Sequence, residues 1–163
     1  MDMKKIDKLF SLLRLALGFV FFWAFIDKVW GLGFATTPDK SWLQGVSPTT
    51  GFLKFGAEGI FAPFFHGLAG NPLIDWLFML GLLGIGVSLL LGIGLRIAGY
   101  SGVLLISFLY LSLFPSENNP LVDEHIIYLL LFLIFARGEV GHRFSLYRWW
   151  GQSDLVKKYP ILQ

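Results

Sequence analysis

The chain has 163 residues, of which 55% are hydrophobic and 15% charged, with a mean hydropathy of +0.67. Soluble domains carry about 25% charged residues, so this composition excludes a water-soluble globule and fits a single integral membrane domain over 1–163. The net charge of +2 is too small to suggest a nucleic-acid partner, and the absence of cysteine excludes disulfides and thiolate metal sites.

The first apolar stretch, about 9–30, follows the basic flank Lys4-Lys5-Ile6-Asp7-Lys8. It is too long for a signal peptide, and Asp27-Lys28-Val29-Trp30 offers no small-residue cleavage site, so it reads as an uncleaved anchor. A long outer loop, about 31–72, comes next. Loops of that length are usually functional. Ser47-Pro48 has the form of a helix start, and Phe52, Phe55, Gly56, Gly59 and Ile60 recur at helical spacing, with Pro63 placed to stop the run. A helix over about 47–62 is therefore expected, lying on the outer surface or folding back over the helix ends like a lid.

Further spans are expected at about 73–95, 97–114 and 121–137, with the second and third separated only by Arg96. Gly84, Ser88 and Gly92 recur at intervals of four, a spacing that lets membrane helices approach closely. The uninterrupted apolar run of the fourth stretch, 126–136, has eleven residues. At about 1.5 Å per residue that is roughly 16 Å, short of a hydrocarbon core of about 30 Å. Asp123-Glu124-His125 would then enter the membrane, where ionisable groups mark a functional site. The alternative is a tilted span in a thinned bilayer, with the triplet in the headgroups.

Ten of the thirteen Lys and Arg residues fall on the N-terminal end through Arg14, the Arg96 turn and the C-terminal end from Arg137. Four spans place all three segments on one side, and the positive-inside rule makes that side cytoplasmic, with both termini inside. The outer side holds Lys28, Lys40 and Lys54 against Asp27, Asp39, Glu58, Asp75, Glu117, Asp123 and Glu124. Aromatic residues beside Arg143 and Arg148 in the tail read as an interfacial anchor. The expected fold is an all-α integral membrane protein, a four-transmembrane-helix bundle with a long first outer loop containing an interfacial helix.

On the first span, Arg14, Gly18, Phe21, Phe25 and Lys28 share one stripe, while Trp23, Asp27 and Trp30 lie opposite. Arg14 and Lys28 either snorkel to the two headgroup layers or face the interior, where Lys28 would need Asp123 or Glu124 as an anionic partner. His125 and Tyr128 share a face of the fourth span, and an imidazole with a phenol can bind a quinone's carbonyls and move its protons. Candidate catalytic residues are thus His125, Tyr128, Asp123 and Glu124; candidate substrate-binding residues are Lys28, Asp27, Arg14 and Trp30. Glu58, His66 and the triplet offer metal-ligand chemistry, but no ligand spacing supports a metal site. The chain shows no dinucleotide or phosphate-binding loop and no haem or flavin signature.

Arg14-Leu15-Ala16-Leu17-Gly18-Phe19 followed by Trp23-Ala24-Phe25-Ile26-Asp27-Lys28 resembles the first span of the DoxX-like membrane proteins. Gly31-Leu32-Gly33-Phe34-Ala35, Ser47-Pro48-Thr49-Thr50-Gly51-Phe52-Leu53 and Asp123-Glu124-His125-Ile126-Ile127-Tyr128 resemble the DoxD branch, named for the large membrane subunit of thiosulfate:quinone oxidoreductase. The resemblance covers about residues 14–142. It implies a prokaryotic plasma-membrane protein that passes electrons from thiosulfate to quinone, yielding tetrathionate, with a second small subunit as partner. The alternatives are a non-catalytic membrane assembly subunit and a small proton- or ion-coupled transporter. Membrane lipid and a homo-oligomeric copy are further expected partners.

Overall fold

A chain this apolar must satisfy its own backbone polar groups, and helices do so locally. The computed structural model describes residues 3–116, 119 and 121–163, and no strand occurs among them. In chain order the helices are α1 (Met3–Trp30), α2 (Thr50–Phe55), α3 (Ala62–Leu68), α4 (Pro72–Leu91), α5 (Leu95–Ser112), α6 (Glu124–Arg137), α7 (Tyr147–Gly151) and α8 (Asp154–Lys158). Helices α1, α4 and α5 are long and apolar enough to cross a membrane. The chain is therefore built as a multi-pass membrane protein. Glu117, expected among the outer acidic residues, lies outside the described residues.

The long helices pack in chain order, α1 on α4, α4 on α5 and α5 on α6. Helices α1 and α6 also meet edge-to-face, through Phe21 and Phe132, whose ring centroids are 5.2 Å apart. Around this contact Leu17, Met79, Ile85, Leu89 and Phe135 form one buried core. Small residues set the closest approaches. A Cβ on Gly86 would lie 2.6 Å from the Phe22 nitrogen, and one on Gly18 would lie 2.8 Å from the Leu89 Cβ. Gly99 sits equally tightly against Ala136. The expected Gly84-Ser88-Gly92 seam is not the one used: Gly84 has open space around it, and Gly92 ends the helix. The seam lies one face over because the α1 stripe that meets α4 is centred on Gly18 and Phe22.

Helix boundaries follow end chemistry more closely than hydropathy. The α4–α5 turn falls at 92–94, not at Arg96. Gly92 and Gly94 take left-handed φ of 69° and 62° there, a conformation that costs glycine little. The fourth helix starts at Glu124 instead of 121, because Asp123 is its N-cap and accepts from the His125 amide.

The segment between α1 and α4 corrects the expected single helix over 47–62. The Ser47 hydroxyl accepts from the Thr50 amide at 3.0 Å, but the helix begins only at Thr50, with Pro48 and Thr49 in a turn before it. The helix then ends at Phe55, and a break precedes α3. Pro63 opens α3 instead of stopping a helix, since its missing N–H costs nothing in a first turn. The two short helices bury Leu53, Ala57 and Phe65 against Leu68 and Ile74. The Glu58 amide donates to the Ser112 carbonyl at 2.8 Å and the Ile60 amide to the Phe114 carbonyl at 3.1 Å. Asp75 of α4 accepts from the Ser47 and Thr49 hydroxyls at 2.8 and 2.5 Å. The lid is thus fastened over the ends of α4 and α5.

These approaches separate two neighbouring glycines. Gly86→Ala should cost about 1–3 kcal/mol by overpacking, whereas Gly84→Ala should be neutral or stabilise by about 0.5–1 kcal/mol through helix propensity. Thermal unfolding in detergent reads both; equal melting temperatures would mean that α1 and α4 do not meet at Gly86.

Candidate functional site

Under the lid lies a cavity of about 560 Å³ between α4, α5 and the α2–α3 segment. Phe52 and Phe65 line it from the lid, Phe78 and Gly81 from α4, and Leu104 and Phe108 from α5. Its wall is almost wholly apolar, and Lys28 of α1 supplies its one charged side chain. The ammonium lies 5.8 Å from the centroid of the Phe78 ring, a cation–π arrangement. Among the described residues, Lys28 has no carboxylate within ion-pair distance and no hydrogen-bond partner. A half-buried ammonium without an ion pair or hydrogen bond in an apolar wall is costly. A ligand oxygen placed there would relieve that cost.

The expected pairing of Lys28 with Asp123 or Glu124 is not formed. Asp123 is buried and turned to its own turn of helix: one oxygen caps the His125 amide at 3.0 Å, and the other meets His125 Nδ1 at 2.9 Å. Capping an otherwise unsatisfied helix start holds this carboxylate at α6. Glu124 is exposed. His125 is half-buried beside Tyr110, with ring centroids 6.4 Å apart, and Tyr110 donates to the Leu121 carbonyl at 3.0 Å. Tyr128 packs against the bundle core. Neither His125 nor Tyr128 lines the cavity. The cavity between α4, α5 and the α2–α3 segment thus brings in Lys28 but not His125, Tyr128, Asp123 or Glu124.

Asp27 and Lys28 diverge, as their positions on the helix require. Asp27 is buried and accepts from the Phe34 and Ala35 amides at 3.3 and 3.0 Å, tying down the chain that leaves α1. Trp30 is about half exposed, and Trp23 stacks with Phe19 and meets Phe34 edge-on. His66 turns its Nε2 to the Ala57 carbonyl at 3.1 Å within the lid.

Arg14 does not snorkel. It is fully buried, and its guanidinium donates to five main-chain carbonyls. Nε meets Gly141 at 2.9 Å, one terminal nitrogen meets Leu89 and, at 3.2 Å, Leu90, and the other meets Arg143 and Phe144 at 3.1 Å each. Leu89 and Leu90 belong to the last turn of α4, where carbonyls lack helical partners and the helix dipole favours a cation. The same face of α1 adds Asp7, which accepts from the Gly141 and His142 amides at 2.7 and 3.2 Å, and Ser11, which accepts from the Arg143 amide at 3.0 Å. Burial pushes the His142 imidazole below its ordinary range. Its Nε2 donates to the Gly138 carbonyl at 3.0 Å, and the ring stacks on Tyr147. Arg14 is thus occupied at the opposite end of α1 from the cavity, with no donor left for a substrate anion.

Sequence reading missed Phe78, Gly81 and Ser112 as cavity residues, since nothing local marks them. The Ser47–Thr49–Asp75 cluster had one visible signal, the Ser-Pro helix start, which pointed to a cap but not to its partner on α4.

The Arg14 geometry requires a planar fork. Arg14→Lys keeps the charge but offers three donors from a single point, so unfolding free energy should fall by about 3 kcal/mol, the worth of one or two charge-assisted bonds. Denaturant unfolding in micelles measures it; a loss no larger than that of a surface Arg→Lys change would mean the carbonyl cage is not formed.

No family model, curated protein or solved structure matches the chain.

Proposed function

We propose that the chain is a four-span membrane subunit of a quinone-linked oxidoreductase, with both termini cytoplasmic and the quinone ring held in the outer cavity against Lys28. The observation that carries this reading is the apolar cavity with one unpaired ammonium in its wall. A flat apolar ring with polar oxygens at its ends matches that lining: Phe52, Phe65 and Phe78 offer faces and edges, and Lys28 offers a donor to a carbonyl oxygen. That donor gains strength as negative charge develops on the oxygen during reduction.

Support for the fourth span comes from how α6 lies on α5. Gly99 meets Ala136 at one end and Tyr110 meets His125 at the other, so the helices run antiparallel through the same depth. Helix α6 has 14 residues, about 21 Å at 1.5 Å per residue, and crosses only where the bilayer thins or the Asp123 cap enters the headgroup layer. The division of Lys and Arg supports the orientation.

The motifs shared with the DoxD branch suggest thiosulfate as electron donor. Two thiosulfate ions give one tetrathionate and two electrons, and a quinone takes these with two protons to become a quinol. In this chain Lys28 positions the acceptor oxygen. His125, oriented by Asp123 through Nδ1, has its other ring nitrogen available to pass protons at the outer end. Electrons reach the quinone with the help of a second subunit. A non-catalytic quinone- or lipid-binding partner is the second reading. It is favoured by the engagement of Asp7, Asp27, Asp75 and Asp123 in holding the chain's own backbone and hydroxyls.

Two measurements test this. Purified protein should bind a short-chain quinone analogue. Lys28→Met should weaken binding by about ten-fold or more, as removal of one charge-assisted bond requires. Gly81→Leu, projecting from a position with open space around it, should fill the cavity and block binding while melting stays near wild type. Unchanged affinity in both variants sinks the assignment. Orientation is tested separately. The chain has no native cysteine, so single thiols at the exposed positions 40 and 157 are unique labels. Position 40 should react with an impermeant maleimide in intact cells and 157 should not; labelling at 157 alone reverses the topology.

A further inference from the structure

At the other end of the molecule, where α1 begins and α6 hands over to the tail, lies a second cavity of about 670 Å³. Lys4, Arg143 and Arg148 bring three cationic side chains to its wall, with Asp7, Glu139 and apolar Ile6 and Tyr147 beside them. Of the two acids, Asp7 pairs with one of these cations, Arg143, and leaves Arg148 without an ion pair among the described residues. Asp7 is turned to the Gly141 and His142 amides and lies 3.7 Å from the Arg143 guanidinium. Glu139 lies 3.7 Å from Arg137, outside the lining. The surroundings are those of a membrane boundary: Leu9, Leu12 and Leu13 are exposed one to two turns along α1, and Phe144, Leu146 and Trp149 are exposed beside the cavity.

We propose that this cavity holds the phosphodiester headgroup of an anionic phospholipid. Arg143 and Arg148 take the phosphate oxygens, and Ile6 and Tyr147 lie along the glycerol and upper acyl chain. Guanidinium groups match phosphate oxygens through paired donors, and basic recesses at the ends of membrane helices suit acidic headgroups. A soluble anion would use the cations but leave the apolar half of the recess unused, which is why a lipid is the better occupant. Arg143 also gives its carbonyl and amide to Arg14 and Ser11. A bound headgroup therefore braces the turn that closes this end of the bundle.

The test uses the full chain in detergent, exchanged into micelles doped with defined lipids and read by native mass spectrometry. Phosphatidylglycerol should be retained over phosphatidylcholine. Arg143→Gln with Arg148→Gln should weaken retention about thirty-fold, at about five-fold per cation removed. Arg148→Gln alone removes no ion pair of the described residues and should still give about five-fold, which covers the case in which the double variant unfolds. Lys157→Gln with Lys158→Gln, on α8 and outside the cavity, should change nothing. Undiminished retention in the Arg148→Gln protein, or equal retention of phosphatidylcholine, overturns the proposal. So does binding of inorganic phosphate that displaces the lipid, which would make the occupant a soluble anion. Quinone binding at the far cavity should persist in every variant.

Discussion

Arg14 is the constraint on which the rest of the structure depends. A guanidinium buried in an apolar chain has to find an acceptor for every N–H, and here the acceptors are main-chain carbonyls drawn from α4 and from the turn after α6. One side chain therefore closes the C-terminal end of α4, fixes the start of the tail and sets the register of α1 against both. The α1–α4 seam through Gly18 and Gly86 lies just above it. Sliding α1 by one residue would both misplace the fork and drive Phe22 away from Gly86, so the polar and steric constraints reinforce each other.

The carboxylates follow the same logic. Asp7 holds the turn at 141–142, Asp27 holds the chain leaving α1, Asp75 gathers the Ser47 and Thr49 hydroxyls, and Asp123 caps α6. Each sits where the backbone leaves or enters a helix, the places where amides lack helical partners. In an apolar setting such groups are expensive unless satisfied. The buried acids Asp27, Asp75 and Asp123 therefore serve helix ends, and a buried carboxylate here is weak evidence for catalysis.

Against that background Lys28 stands apart. It is on the stripe that carries Arg14, yet it reaches the cavity with no carboxylate within ion-pair distance among the described residues, and its neighbour there is the ring of Phe78. The lid that roofs the cavity is made of two short helices held by a handful of hydrogen bonds and a small apolar cluster of its own. Segments of that kind open at lower free energy than the long helices beneath them.

Much of the architecture was legible in the residues. Hydropathy located the three long apolar helices and the short fourth one, because burial in lipid demands long apolar runs. A helix shortly after Ser47-Pro48 and the opposed faces of Asp27 and Lys28 could also be read, because turn chemistry and the 100° helical step act locally. Tertiary structure alone decided the rest. The hydrogen-bond partners of Arg14 lie 75 to 130 residues away, so its choice between snorkelling and burial could not be made from its neighbours in sequence. Gly86 was chosen over the Gly84 stripe by the contour of Phe22 on another helix. Asp123 went to His125 instead of Lys28 because an unpaired helix start stood nearer than a cation across the bundle. Pattern along a chain fixes what a helix needs, but which distant group meets that need depends on how the helices pack, and that is a property of the assembled bundle.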